Sequence, residues 1–114
     1  MKASEDDVRL MRAFYQALKP FYGVRRDMML PYVQTFTLVA MEPGLGSAEY
    51  AQRADLSQTV MTRYLIDISD GMSLMGPGCG LVTRKEEGGQ KKYSLTEKGQ
   101  ELAHKMMCAL KDKH

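Results

Sequence analysis

The feature that most constrains this chain is the stretch 47–68, SAEYAQRADLSQTVMTRYLIDI. It holds two helix starts, at Ser47 and Ser57, on either side of a tight break at Ala54-Asp55-Leu56. Serine is a preferred helix cap, because its hydroxyl satisfies a backbone N–H left free in the first turn. Glu49 adds negative charge where a helix N-terminus favours it, and Asp55 is a short polar residue that tolerates unusual backbone angles. The apolar residues Tyr50, Ala54, Leu56, Met61, Tyr64, Leu65 and Ile68 recur at helical spacing and close one inner face. That is the pattern of a helix-turn-helix, in which one helix braces another against the body of a domain. Gln58, Thr59, Thr62 and Arg63 are left on the opposite side. A solvated polar face would look the same, so the flanking chain has to decide between the two.

N-terminal to this unit, Ser4 precedes Glu5-Asp6-Asp7 and opens a helical pattern that Pro20, with Gly23 beyond, is expected to end. Two apolar stripes run along that helix: Val8, Met11, Tyr15 and Leu18 on one, Leu10, Phe14, Ala17 and Phe21 on the other. A helix packed on one core needs a single stripe, so the second calls for another partner. Pro31 suits the first turn of a further helix, and the strongly apolar run 32–41 reads as the buried central helix. Glu42-Pro43-Gly44-Leu45-Gly46 stops it, and Ser47 is expected to cap the next.

C-terminal to the unit, residues 70–80 (DGMSLMGPGCG) contain four glycines and a proline and read as an exposed loop. Leu81-Val82-Thr83-Arg84-Lys85 and Lys91-Lys92-Tyr93-Ser94-Leu95 read as two short strands joined by the glycine-bearing loop Glu86-Glu87-Gly88-Gly89-Gln90. Thr96 caps a last helix to about Leu110, again doubly striped: Leu102, Met106 and Ala109, then Ala103, Met107 and Leu110. The tail from Lys111 is expected to fray.

This order, helices, helix-turn-helix, hairpin, capped helix, is a winged helix-turn-helix layout. The sequence resembles the MarR-type winged-helix transcriptional regulators in three places. Leu56-Ser57-Gln58-Thr59-Val60-Met61-Thr62-Arg63-Tyr64-Leu65 is similar to the family's recognition helix, Gly80-Leu81-Val82-Thr83-Arg84 to its first wing strand, and Leu95-Thr96-Glu97-Lys98-Gly99 to the opening of the helix after the wing. The resemblance spans residues 47–110. Two features depart from it: the glycine-rich segment 70–80, and a wing tip of Glu86 and Glu87 where the family commonly carries an Asp-x-Arg pair. The fold class expected is therefore mainly α with a small β-hairpin, one winged helix-turn-helix domain over residues 1–114. Its terminal helices 4–19 and 96–110 would dimerise, with the helix-turn-helix at 47–69 and the wing at 81–95.

The implied function is sequence-specific binding of double-stranded DNA by a homodimeric regulator, in the sense of a repressor reading a palindromic operator. A recognition helix enters the major groove by its N-terminal half, which puts Ser57, Gln58 and Thr59 first, with Thr62 and Arg63 behind. Gln58 has the chemistry for adenine and Arg63 for guanine or phosphate. Arg84, Lys85, Lys91 and Lys92 flank the wing loop and suit phosphate neutralisation or the minor groove. A charged ribbon that merely resists edge-to-edge aggregation would carry the same residues. A winged-helix protein-protein interaction module without sequence-specific DNA binding is the alternative.

Other classes find less support. The net charge of +2 says little, although residues 57–114 hold nine basic and seven acidic residues against seven and seven in 1–56. No apolar run approaches the ~18 residues of a membrane span. Glu5-Asp6-Asp7 stands where an export signal needs basic charge, so the expectation is a cytoplasmic protein with no membrane partner. Cys79 and Cys108 form no metal motif and are read as reduced thiols; a redox switch at Cys79 would require an exposed thiol of low pKa. His104 and His114 join no catalytic constellation, so neither an enzyme nor a cofactor is expected. Ten methionines are usually core filling, but they also suit an adaptable pocket for a small apolar effector.

Overall fold

Ser4 begins the first helix as its hydroxyl oxygen accepts from the Asp7 amide at 3.1 Å, while the Asp7 carboxylate takes the Ser4 amide at 3.2 Å. In this computed structural model, which describes residues 2–73 and 76–111, that reciprocal cap opens α1 (Glu5–Leu18). α1 ends at Leu18, just before Pro20, as expected, yet a helical path resumes at once. Lys19 keeps helical angles (φ −56°, ψ −39°), and Pro20 occupies the first turn of a short α2 (Pro20–Val24), where a missing N–H costs nothing. α3 (Leu30–Met41) follows with Pro31 in its own first turn, and buries Thr35, Phe36 and Val39.

The helix-turn-helix is α4 (Ser47–Ala54) and α5 (Gln58–Asp67). Asp55 adopts the left-handed conformation (φ 56°, ψ 45°), and the Leu56 amide bonds back to the Ala51 carbonyl at 2.9 Å, which closes the turn. α5 starts at the Ser57 cap, whose hydroxyl oxygen accepts from the Val60 amide at 3.2 Å, and stops at Asp67, short of the expected Ser69. The cap of α4 is Gly46, not Ser47: the Glu49 carboxylate accepts the Gly46 amide at 3.1 Å. A glycine fits there because a Cβ would press to 3.3 Å on the Lys91 carbonyl oxygen of the wing.

Residues 70–80 are more ordered than their composition suggests. They contain two short antiparallel strands, β1 (Met72–Ser73) and β2 (Gly76–Pro77), paired Met72 to Pro77 and Ser73 to Gly76. Leu74 and Met75 lie outside the described residues, as do Asp112, Lys113 and His114 of the tail expected to fray. Beyond β2 the chain dives into the core. Cys79 is buried, its amide bonded to the Asp67 carbonyl at 3.1 Å and its own carbonyl accepting from Lys98 Nζ at 3.0 Å.

The wing is β3 (Val82–Glu87) against β4 (Gln90–Leu95), in register from Val82 with Leu95 to Glu87 with Gln90. The ladder therefore runs through Glu86, Glu87 and Gln90, which the sequence pattern placed in the loop. The connection is only Gly88-Gly89, with φ of 58° and 78°, the two positive angles that a tight hairpin turn demands. Leu45 pairs with Tyr93 as a one-residue third strand, and Ser69 pairs in parallel with Val82. Thr96 caps α6 (Glu97–Lys111) by accepting the Gly99 amide at 3.0 Å, and donates its own proton to the Gly80 carbonyl at 2.6 Å.

The core gathers Phe21, Phe36, Val39, Tyr50, Ala51, Met61, Leu65, Ile68, Cys79, Leu81, Val82, Tyr93 and Leu102. Phe21 meets Phe36 edge-on at 5.6 Å between ring centres, which ties α2 to α3. The apolar inner face of the helix-turn-helix is as expected except for Leu56, which is 43% exposed in the turn. α1 lies along α6 but hides little of itself. Within α1 only Ala17 of its two stripes is buried, Phe21 having passed into α2, and Leu10 remains 69% and Phe14 53% exposed. The fold is mainly helical with the antiparallel β3–β4 hairpin of a winged helix-turn-helix, to which the short β1–β2 pair is added.

Candidate nucleic-acid interface

α5 presents two chemically distinct sides. Met61, Leu65 and, just past its end, Ile68 are fully buried against the body of the domain. On the outside Ser57, Gln58, Thr59 and Arg63 are exposed, and Thr62 is half-buried at the edge of the contact. Val60 was not singled out in the sequence, yet it stands 37% exposed beside Thr59. Helical geometry carries the signal: at 100° per residue, 59, 60 and 63 point away from 61, 65 and 68.

The polar residues of this face are not equally free. The Ser57 hydroxyl oxygen is already used in capping α5. The Gln58 amide nitrogen donates to the Ser47 hydroxyl oxygen at 3.2 Å, across the turn to the first residue of α4. Arg63 makes no ion pair among the described residues. Arg53 of α4, by contrast, is held by both carboxylate oxygens of Glu42, at 3.0 and 3.3 Å. That pair lowers the Glu42 pKa and raises that of Arg53, first through the hydrogen bond and then through the opposite charge.

The far end of α5 is fastened from α3. Tyr32 donates its hydroxyl proton to Asp67 Oδ2 at 2.7 Å, and its ring meets Tyr64 edge-on at 5.8 Å. The bond to Asp67 is the main cause that raises the Tyr32 pKa. α5 is thereby set at its cap and at its last residue, which leaves little freedom in the angle at which its outer face is shown.

The register of the wing sorts its cations by side. Side chains directly opposite share a face, and successive residues alternate. Arg84 and Lys91 therefore lie on the same side as the buried Tyr93, and Lys85 and Lys92 on the other. Arg84 borders a small cleft of about 220 Å³ with Ile66, Ser69, Asp70 and Gly71, where the wing meets the end of α5. Lys92, half-buried, pairs with the exposed Glu87 at 3.7 Å, open enough to solvent that the pair is weak. Arg84, Lys85 and Lys91 have no ion-pair partner among the described residues.

A second concavity of about 380 Å³ opens between α3 and the helix-turn-helix, lined by Pro31, Leu38, Ala54, Leu56, Met61 and Tyr64 among others. Met61 is the only methionine lining this concavity. Burial raises the Cys79 pKa, so that thiol meets neither condition for a redox switch. Among the described residues no group of three His, Cys, Asp or Glu could hold a metal ion, and no helix is long and apolar enough to cross a membrane.

No family model and no curated protein matches the sequence. Among solved structures, a MarR family protein of Mycobacterium tuberculosis in complex with salicylic acid is similar in fold. The match covers 96% of this chain and 78% of that one at 22% identity, with a TM-score of 0.52. The likeness takes in the terminal helices as well as the helix-turn-helix and wing, so the chain has the winged helix-turn-helix architecture of that protein along nearly its whole length.

Proposed function

We propose that this protein is a MarR-type transcription regulator: a single winged-helix domain over residues 1–114 that binds double-stranded DNA sequence-specifically as a homodimer. α5 enters the major groove and the β3–β4 ribbon lies on the backbone or in the minor groove. The observation that carries this reading is the two-sidedness of α5. Its inner side chains are completely buried, while Gln58, Thr59 and Arg63 stand exposed and Arg63 has no ionic partner among the described residues. The neighbouring ribbon adds Arg84, Lys85, Lys91 and Lys92, and such cations bind phosphates by releasing counterions. Val60 adds an apolar surface suited to a thymine methyl group.

The uncovered face of α1 supports the dimer. The radius of gyration is 15.3 Å, against about 13 Å for a compact domain of this length, as expected of a chain whose terminal helices project from the core. Two copies joined through those helices would set two recognition helices about one DNA turn apart and read a palindrome, and occupancy of a promoter would make the protein a repressor. The cavity between α3 and the turn is the natural seat for a small apolar effector, by analogy with the salicylic acid held by the structural neighbour. Filling it would press on Leu56 in the turn and Met61 on the inner side of α5.

Substitution tests the assignment of the face. Arg63→Ala should lose about 1–3 kcal/mol of binding to a selected operator and relax the sequence preference. Lys91→Ala combined with Lys92→Ala should weaken all sequences alike and reduce the salt dependence. Parent-like binding by both variants, measured by fluorescence anisotropy, would remove this face from the account.

A further inference from the structure

We infer that Ser47 is a positioning residue for base reading: its hydroxyl aims the Gln58 amide at an adenine, so that α4 contributes to sequence choice without touching a base. The inference rests on the proposed DNA binding and adds to it the base read and the residue that orients the reader.

Gln58 is the first residue of α5, at the end that a recognition helix inserts deepest. A free glutamine there has three side-chain torsions and offers its amide in many orientations, at an entropic cost whenever one is selected. Here the amide nitrogen is tied to Ser47 Oγ at 3.2 Å, eleven residues away on the neighbouring helix. Ser47 is half-buried and sits in the first turn of α4, behind the Gly46 cap, so its own backbone is fixed. A glutamine amide has two N–H donors and one carbonyl oxygen. With one N–H committed to Ser47, one N–H and the oxygen remain. That is the donor–acceptor set required by adenine N7 and the adenine N6 amino group.

The structure also explains why a serine occupies a place where its usual role is not used. Capping of α4 falls to Gly46 and Glu49, which frees the Ser47 hydroxyl for Gln58. A bond made only to staple α4 to α5 would add little stability, since both groups are reachable by water and an exposed hydrogen bond is worth little net. Its consequence is directional.

The test is selection of bound sites from random duplex DNA by the parent, Ser47→Ala, Ser47→Thr and Gln58→Ala, with helix content and thermal midpoint measured on each. The expected result is one adenine per half-site whose preference falls ~10-fold in Gln58→Ala and ~3-fold or more in Ser47→Ala, with other positions unchanged. Ser47→Thr, which keeps the hydroxyl, should restore it. A Ser47→Ala protein that selects the parental site, or that loses preference evenly at every position with its fold intact, overturns the role of Ser47 and leaves DNA binding standing. A parent that retains no DNA overturns both.

Discussion

The Tyr50 hydroxyl holds together three backbone segments. It donates to the Glu42 carbonyl at 2.6 Å, accepts from the Leu45 amide at 3.3 Å, and lies 3.4 Å from the Tyr93 carbonyl of the wing. Tyr50→Phe keeps the ring but strands the Leu45 amide and the Glu42 carbonyl, and should cost about 1–3 kcal/mol in urea unfolding. Burial raises the Tyr50 pKa, and the bond to Asp67 followed by burial raises that of Tyr32. A group whose folded pKa is raised lends stability that is complete below its unfolded pKa, about 10 for tyrosine, and is lost as pH rises through the folded value. Parent stability should therefore fall above about pH 10, and Tyr50→Phe should fall less steeply; equal slopes would assign the loss to other groups. At this scale the roles legible in the sequence are those set by near neighbours, such as the caps at Ser4, Ser57 and Thr96 and the turn at Asp55. Ser47 was misread as a cap, and Cys79, correctly read as a free thiol, was placed in an exposed loop, because their partners, Gln58 for one and Asp67 and Lys98 for the other, are distant in the chain.

Among the elements, the start of α6 fits the wing so closely that one residue type is admitted. A Cβ on Gly99 would collide with the Leu81 carbonyl oxygen and reach 3.4 Å from Leu95 Cβ. Gly99→Ala should lower stability by about 1–3 kcal/mol through displacement of β3, read as an earlier urea midpoint; an unchanged midpoint would show that α6 can slide on the wing. The hairpin itself was legible from Gly88-Gly89 and its β-favouring flanks, and its boundaries were not. An exposed two-stranded ribbon tolerates charge on both faces, so Glu86, Glu87 and Gln90 extend the ladder without the alternation that marks a half-buried strand. The pairing within residues 70–80 escaped for a similar reason. Glycine and proline speak against regular structure locally, whereas Gly78 is required by its approach to the Ser69 carbonyl, a tertiary contact.

For the whole molecule, the doubled stripes of the terminal helices are the sequence feature from which a second copy is proposed. One stripe was expected to pack at home, yet α1 leaves Val8, Leu10, Met11, Phe14 and Tyr15 all exposed. Leu10→Glu or Phe14→Glu should halve the mass in light scattering and leave helix content unchanged, because neither side chain supports the core. Met106 would be a poor choice for such a test, since it packs against that core. An unchanged mass would assign the α1 face to something other than a second copy. Two joined copies would each present α5 and a basic ribbon to one duplex, which makes affinity and its salt dependence properties of the assembly. The most direct test is the binding of mixed-sequence duplex DNA to the purified protein, followed as salt is raised from low ionic strength. Retention is expected at low salt, with log affinity falling linearly against log salt at a slope of about −0.9 for each phosphate neutralised. No retention at low ionic strength, or affinity indifferent to salt, would contradict it.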